Sequence, residues 1–204
     1  MVMDLDKCIG CNACTVACKA ENGVALGSFR TRVLEKETGE YPHTKKFFLP
    51  LMCNHCKDAP CVSACPNKAF IKNENGIVEI NKDNCKGFQL CIQACPYGAI
   101  YLNPETISGQ EANGYPAQPR KADKCDFCKH RIDEGLEPAC SNTCPTNARI
   151  FGDLADESSA VYQIVTKEKL SGILEEAGTR PQVFYKGGNK EIFEVRKRIN
   201  NRND

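Results

Sequence analysis

The chain has 204 residues, with 27 Lys and Arg against 26 Asp and Glu and a formal net charge of +1. That near-balance argues against a nucleic-acid binder, which shows a basic surplus on one face. A membrane span needs about 20 apolar residues, whereas the longest uncharged stretch, Gly87 to Pro104, is broken by Gln89, Gln93, Pro96 and Gly98.

Cysteine is the outlying residue. The 41% hydrophobic content includes 15 cysteines, and with 7% aromatics and no Trp the remaining core is thin for this length. Something besides side-chain packing has to hold the fold together.

The first predicted element is a short strand at Met3 that feeds block one, Cys8-x2-Cys11-x2-Cys14-x3-Cys18. Met1–Lys7 lacks the basic start and apolar run of a secretory signal. The segment 21–50 contains Gly23, Gly27, Gly39 and Pro42 and reads as an inserted loop forming a small surface lobe. Block two follows as Cys53-x2-Cys56-x4-Cys61-x3-Cys65-Pro66. Ala69 to Ile80 reads as strand, Asn75-Gly76 turn and strand, a strong short-range hairpin signal.

Block three is Cys85-x2-Phe88-x2-Cys91-x3-Cys95-Pro96, and the run from Glu79 to Cys95 repeats the run from Met3 to Cys18, with Gly87 matching Gly10. The linker Asn103–Lys124 carries Pro104, Gly109, Gly114, Pro116 and Pro119 and reads as a loop laid over the core. Block four is Cys125-x2-Cys128-x11-Cys140-x3-Cys144-Pro145. Beyond it, Ser158 or Ser159 is placed to cap a helix with Val161, Ile164 and Val165 inward. Lys167–Ala177 reads as a second helix, Gln182–Tyr185 as a short strand, and Glu191–Asn200 as a charged helix or tail.

Four blocks of four slots hold all 15 cysteines, and Phe88 fills the remaining slot. In C-x2-C-x2-C spacing the short intervals wrap backbone around one iron–sulfur cluster, while a fourth Cys, usually before Pro, ligates the other cluster of a pair. Proline ends the helical turn that carries that cysteine. Block one departs from this, with Lys19 after Cys18. Structural zinc uses two separated pairs, which block four alone could match. A disulfide framework would leave one thiol over and would need bridges between close neighbours. His43, His55 and His130 read as surface groups or as supports to the ligands.

In this order the blocks resemble the four-cluster iron–sulfur subunits of the molybdopterin oxidoreductase (dimethyl sulfoxide reductase) family, from about Met3 to Tyr185. Cys53-Asn-His-Cys-Lys-Asp-Ala-Pro-Cys61, Lys124-Cys-Asp-Phe-Cys-Lys-His-Arg131, Ala148-Arg-Ile-Phe-Gly-Asp-Leu154 and Ala177-Gly-Thr-Arg-Pro-Gln-Val-Phe-Tyr185 look most like the polysulfide, tetrathionate and arsenate reductase branch. The resemblance implies an α+β fold of two bacterial two-cluster ferredoxin-like units. Unit A would be 1–20 plus 117–152 and unit B 51–102, with inserted loops 21–50 and 103–116 and a C-terminal extension 153–204. It further implies four ligand sets: Cys8, Cys11, Cys14 and Cys144 for cluster one; Cys18, Cys125, Cys128 and Cys140 for cluster two; Cys53, Cys56, Cys61 and Cys95 for cluster three; Cys65, Cys85 and Cys91 for cluster four.

Phe88 cannot bind iron, so the expectation is three [4Fe-4S] clusters and one [3Fe-4S] cluster. The alternative is a fourth [4Fe-4S] cluster with a non-protein ligand opposite Phe88. Phe88 itself is expected to seal that site. Clusters of this kind would contribute a charge of roughly −8, which Lys7, Lys19, Lys57, Lys86, Lys124 and Lys129 are placed to offset unless they are ordinary surface. No Gly-rich nucleotide loop and no spare cysteine nucleophile suggests catalysis. The implied role is that of an electron-transfer subunit linking a molybdopterin (molybdenum or tungsten) catalytic subunit to a quinone-reactive membrane anchor. A freestanding polyferredoxin or hydrogenase-linked carrier is the alternative. The resemblance also suggests a peripheral membrane complex, exported with a partner that carries a twin-arginine signal; the sequence fits a cytoplasmic complex equally.

Overall fold

Strand β1 (Val2–Asp4) is the centre of a three-stranded sheet whose other members come from the far end of the chain. The computed structural model describes residues 1–103, 120–168, 170, 172–188 and 192–193. After β1 the chain enters block one and helix α1 (Ala13–Asn22), then strands β2 (Thr31–Thr38) and β3 (Lys45–Met52). Block two contains the helical turn α2 (Pro60–Ser63), followed by β4 (Phe70–Lys72), β5 (Val78–Ile80) and α3 (Leu90–Ala94) in block three. Next come β6 (Tyr101–Leu102), β7 (Ala122–Asp123), α4 (Lys129–Asp133), α5 (Ala139–Asn142), β8 (Arg149–Ile150), α6 (Ala160–Lys167) and β9 (Phe184–Lys186). The architecture is α+β: short helices and, among the described residues, four small sheets.

β1 pairs antiparallel with β8, Val2 opposite Ile150, and parallel with β9, Met3 opposite Tyr185. Because β8 follows block four, this pairing draws blocks one and four together, and α1 packs on α5. β4 and β5 pair antiparallel and α2 packs on α3, which joins blocks two and three. One apolar cluster around Met3, Leu49, Met52, Phe127 and Tyr185 contains cysteines from blocks one, two and four. A second, around Phe70, Val78 and Ile100, contains Cys61, Cys85 and Cys91. The apolar side chains therefore form shells around thiols.

The 69–80 hairpin forms, but its turn differs from the two-residue Asn-Gly type. Gly76 N–H donates to the Asn73 carbonyl at 2.9 Å and Gly76 has φ +80°, so it occupies the left-handed position that closes a longer turn. Ser159 caps α6 by accepting from Tyr162 N–H at 3.5 Å, with Val161 fully buried. The expected second helix over 167–177 is only a single 3-10 turn at Glu175–Ala177 among the described residues, because Gly172 and Gly178 bound too short a run. The linker segment 104–119 and most of Glu191–Asn200 lie outside the described residues.

The larger departure is in 21–50. Read as a loop, it contributes most of an antiparallel ladder of eight pairs, Thr31–Thr38 on Lys45–Met52. Gly39 and Pro42 lie in the connection between the strands. Pro50 is tolerated because β3 has only one neighbouring strand. The inner half of β3 is core: Leu49 is 0% and Leu51 4% exposed.

Lys19 explains why block one lacks the proline. After Cys65, Cys95 and Cys144 a proline follows and the adjacent helical turn stops. After Cys18 the helix continues to Asn22, and Lys19 Nζ donates to the carbonyls of Val24, Ala25 and Ser28 at 3.3, 2.9 and 2.8 Å. Lys19→Pro should therefore cost about 3 kcal/mol by breaking α1, and Lys19→Ala about 1–2 kcal/mol from the lost charged hydrogen bonds. Denaturation of the holoprotein, followed by its visible absorbance, checks the order of the two.

Candidate metal centres

The thiols converge in groups that cross the sequence blocks. Cys8, Cys11, Cys14 and Cys144 line one cavity of about 340 Å³. Cys53, Cys56, Cys61 and Cys95 line a second of about 320 Å³. Cys65, Cys85 and Cys91 line a third, of about 310 Å³, together with Phe88. The remaining four are gathered as well: Asn22 Nδ2 reaches both Cys18 and Cys128 Sγ, and Cys125 and Cys140 lie within electrostatic range of Cys18. A further cleft, between Phe29–Arg32 and Tyr97–Leu102, contains no thiol.

Block one and block three build their loops alike. Gly10 and Gly87 have φ of +70° and +73°, and Asn12 and Gln89, which lead into α1 and α3, have φ of +59° and +64°. Phe88 therefore stands in the backbone position that Cys11 holds in block one. Gly10 is required on two counts, since an added Cβ would also overlap the Phe48 ring of β3. Phe88 lines its site and is 59% exposed, and the cavity is nearly as large as its four-cysteine counterparts. Cys11, in the matching slot of block one, is exposed as well.

Backbone N–H groups aim at the sulfurs. Ala69 N–H donates to Cys65 Sγ and Ala148 N–H to Cys144 Sγ, each at 3.3 Å and each four residues past its cysteine. Ala122 and Phe127 N–H groups do the same for Cys85 and Cys125, again at 3.3 Å. Such donors stabilise anionic sulfur. Burial pushes the Cys18 and Cys61 thiols up to about 12, with neighbouring cysteines adding to the effect, and Cys91 up to about 11. In the metal-free chain these thiols hold their protons, and metal binding must release them. Cys144 is shifted the other way, because its hydrogen bonds outweigh burial.

Residues outside the blocks complete the surroundings. Asn22, delivered by the continued α1, directs Nδ2 at Cys18 Sγ (3.8 Å) and Cys128 Sγ (3.6 Å). Its Oδ1 accepts from Arg30 Nη1 at 2.8 Å. Arg30 in turn holds Asp123 through Nε (2.9 Å) and Nη2 (3.0 Å), and Lys82 Nζ and Tyr101 Oη reach the same carboxylate at 2.6 Å each. Burial raises the Asp123 carboxyl, but Arg30 and Lys82 outweigh that and hold it below the usual carboxylate range. Sequence reading missed Asn22, Arg30 and Asp123. Each is an ordinary polar residue until the fold brings it beside a thiol or a counter-charge.

Of the six lysines placed to offset charge, Lys124 alone is buried, 1% exposed, with Nζ donating to the Val78 and Cys125 carbonyls. Lys129 pairs with Asp133, and Lys7, Lys57 and Lys86 are at the surface. His43 is exposed, and His130 Nε2 is 2.8 Å from Glu21 Oε1. His55 is fully buried and stacked 3.8 Å from Phe127, its Nδ1 accepting from Val78 N–H at 3.1 Å. Its Nε2 and both polar side-chain atoms of Asn54 are buried without a hydrogen-bond partner. Both residues line the cavity of Cys53, Cys56, Cys61 and Cys95. An all-thiol donor set with orphaned polar groups beside it fits an anionic iron–sulfur cluster, whose sulfurs accept hydrogen bonds.

Comparison with known proteins agrees with this chemistry. Residues 44–154 match the 4Fe-4S dicluster domain family and residues 1–20 a 4Fe-4S binding domain. The protein is 39% identical to the arsenate respiratory reductase iron-sulfur subunit ArrB of Shewanella sp. (strain ANA-3), across 91% of its own length and 94% of that relative. It is 38% identical to a polysulfide reductase chain from Wolinella succinogenes, across 90% and 91%. It is 39% identical to a tetrathionate reductase subunit from Salmonella typhimurium, across 92% and 71%. The protein belongs to the iron–sulfur electron-transfer subunits of the molybdopterin oxidoreductase family. Its cysteines serve to carry iron–sulfur clusters.

Asp123→Asn should cost about 3–5 kcal/mol at neutral pH, because it strips the buried Arg30 of its main partner. In the native protein this contribution is full above the unfolded carboxylate pKa of about 3.9. It is lost as the pH falls through the depressed folded value. Urea denaturation of both proteins from pH 3 to 7 should show the gap closing on the acid side.

Proposed function

We propose that the chain relays electrons through four clusters between a molybdopterin catalytic subunit and a quinone-reactive membrane anchor. The observation that carries this is the convergence of 11 thiols on three cavities, two lined by four and one by three, with the other four within electrostatic range of one another. Two ferredoxin-like halves then share one body, 1–20 with 117–152 and 51–102. Iron–sulfur clusters, when bound, supply one-electron acceptors whose potentials respond to charge, hydrogen bonds and exposure.

The chain's own part is to fix and tune. Cys8, Cys11, Cys14 and Cys144 would hold cluster one, and Cys18, Cys125, Cys128 and Cys140 cluster two. Cys53, Cys56, Cys61 and Cys95 would hold cluster three, and Cys65, Cys85 and Cys91 cluster four. The N–H groups of Ala69, Ala122, Phe127 and Ala148 support thiolate charge, and Asn54 and His55 face the third site. The arsenate, tetrathionate and polysulfide reductase relatives support the choice of partners, since each is one component of a reductase. No helix among the described residues is long and apolar enough to cross a membrane, so a separate anchor protein is part of the proposal. The twin-arginine export of a partner would place the complex on the outer face.

With three thiols and a non-ligating Phe88, the fourth site holds a [3Fe-4S] cluster beside three [4Fe-4S] clusters. The anaerobically purified protein should then contain about 15 irons and, oxidised, give a near-isotropic EPR signal of about one spin. Phe88→Cys should raise the count to about 16 and abolish that signal. A wild-type protein with 16 irons and no three-iron signal would sink the assignment.

A further inference from the structure

Arg149, on β8, is 3% exposed and has no carboxylate partner among the described residues. Its Nη2 donates to Thr31 Oγ1 at 2.8 Å and its Nη1 to Met52 Sδ at 3.7 Å. Neither acceptor carries charge. The contrast with Arg30 is direct, since that buried guanidinium holds Asp123 and Asp126. A buried cation left without an anion is strongly destabilising, so the counter-charge must come from elsewhere.

The groups that face Arg149 are thiols. Arg149 lines the same cavity as Cys8, Cys14 and Cys144, and Cys140 of α5 is in hydrogen-bond contact with it, while Cys18 lies in the field of both Arg30 and Arg149. The remaining titratable neighbour is the phenol of Tyr185 on β9, whose hydroxyl donates to the Pro50 carbonyl at 2.8 Å. Cys8 and Cys14 belong to the first thiol group; Cys18 and Cys140 belong to the second. A guanidinium is always protonated in a protein, so Arg149 brings a fixed positive charge to this point.

We infer that Arg149 is a positioning residue for electron transfer: the shared counter-charge of clusters one and two, raising the reduction potential of both. The inference rests on the four-cluster reading above. Reduction adds negative charge, which a fixed buried cation stabilises, and burial shields the pair from salt. Its location lets one side chain set two neighbouring potentials together.

The test is an EPR-monitored redox titration of the full-length holoprotein. The wild-type iron count and spectrum decide the four-cluster reading first, before any variant is compared. In Arg149→Gln and Arg149→Met, two of the four reduction equilibria should weaken about tenfold, which is a 59 mV fall for a one-electron couple. The other two should hold, and Arg149→Lys should keep all four near wild type. Thr31→Val removes the neutral hydrogen bond but not the charge, and should leave the potentials in place. Neutral variants that retain their clusters but move none, one or all of the potentials overturn the inference. If the neutral variants lose clusters one and two, retention in Arg149→Lys supports it and loss there too overturns it.

Discussion

Convergence of thiols from distant segments is the constraint on which this fold depends. The apolar side chains are too few to make one continuous core, and those present are arranged as shells around cysteines. β1 lies between β8 and β9, which brings Cys8 and Cys14 to the same cavity as Cys144, and α1 packs on α5, which brings Cys18 towards Cys140. The sheets are correspondingly small. Among the described residues three of the four are two-stranded, a size that is marginal alone and stable only when packed on something else. Clusters bound at these thiols would then contribute to folding, as metals do in other small metal-stapled domains.

Gathering thiols this closely creates an electrostatic problem with two kinds of solution. Without metal, burial and mutual repulsion keep the deep thiols protonated, as for Cys18 and Cys61. With metal, the anionic sulfurs need compensation, and the structure supplies it as N–H dipoles and buried cations. The dipoles come from turns that start at a cysteine and return four residues later, at Ala69 and Ala148. The cations are Lys124 and Arg149, both essentially without solvent contact. Arg30 belongs to a different design. It is paired with Asp123 and Asp126, and it serves the second thiol group both through Asn22, which it holds, and through its own field on Cys18.

What could be read from the sequence follows from this division. The cysteine blocks, the 69–80 hairpin and the Ser159-capped helix are local patterns, encoded by spacing or by a turn and cap residue. The β2–β3 hairpin was hidden because Gly39, Pro42 and Pro50 look like breakers, and only the fold shows that they occupy a connection and a one-sided strand. Asn22, Arg30, Asp123 and Arg149 were illegible as site residues for a related reason. Their roles exist only between segments, and nothing at positions 22, 30, 123 or 149 marks them. Lys124 was nameable because it adjoins Cys125, yet sequence could not separate it from Lys86 or Lys129, which lie equally near cysteines and stay at or near the surface.

The repeat of block one in block three carries the argument one step further. Gly10 and Gly87, Asn12 and Gln89 set the same backbone, so Cys11 and Phe88 are alternative side chains on a common loop. The cavity behind Phe88 keeps nearly the volume of its counterparts. Replacing a thiol by a phenyl ring in this slot removes one ligand while leaving the shell, the helical turn and the other three thiols in place. Cluster type, and with it potential, can thus be altered by one exposed side chain. On the proposal made for Arg149, a buried cation adjusts the deep sites by a separate means. A scaffold whose folding demands fixed thiol positions leaves its electronic properties to be adjusted at positions that folding does not constrain, and slot 88 is one of them.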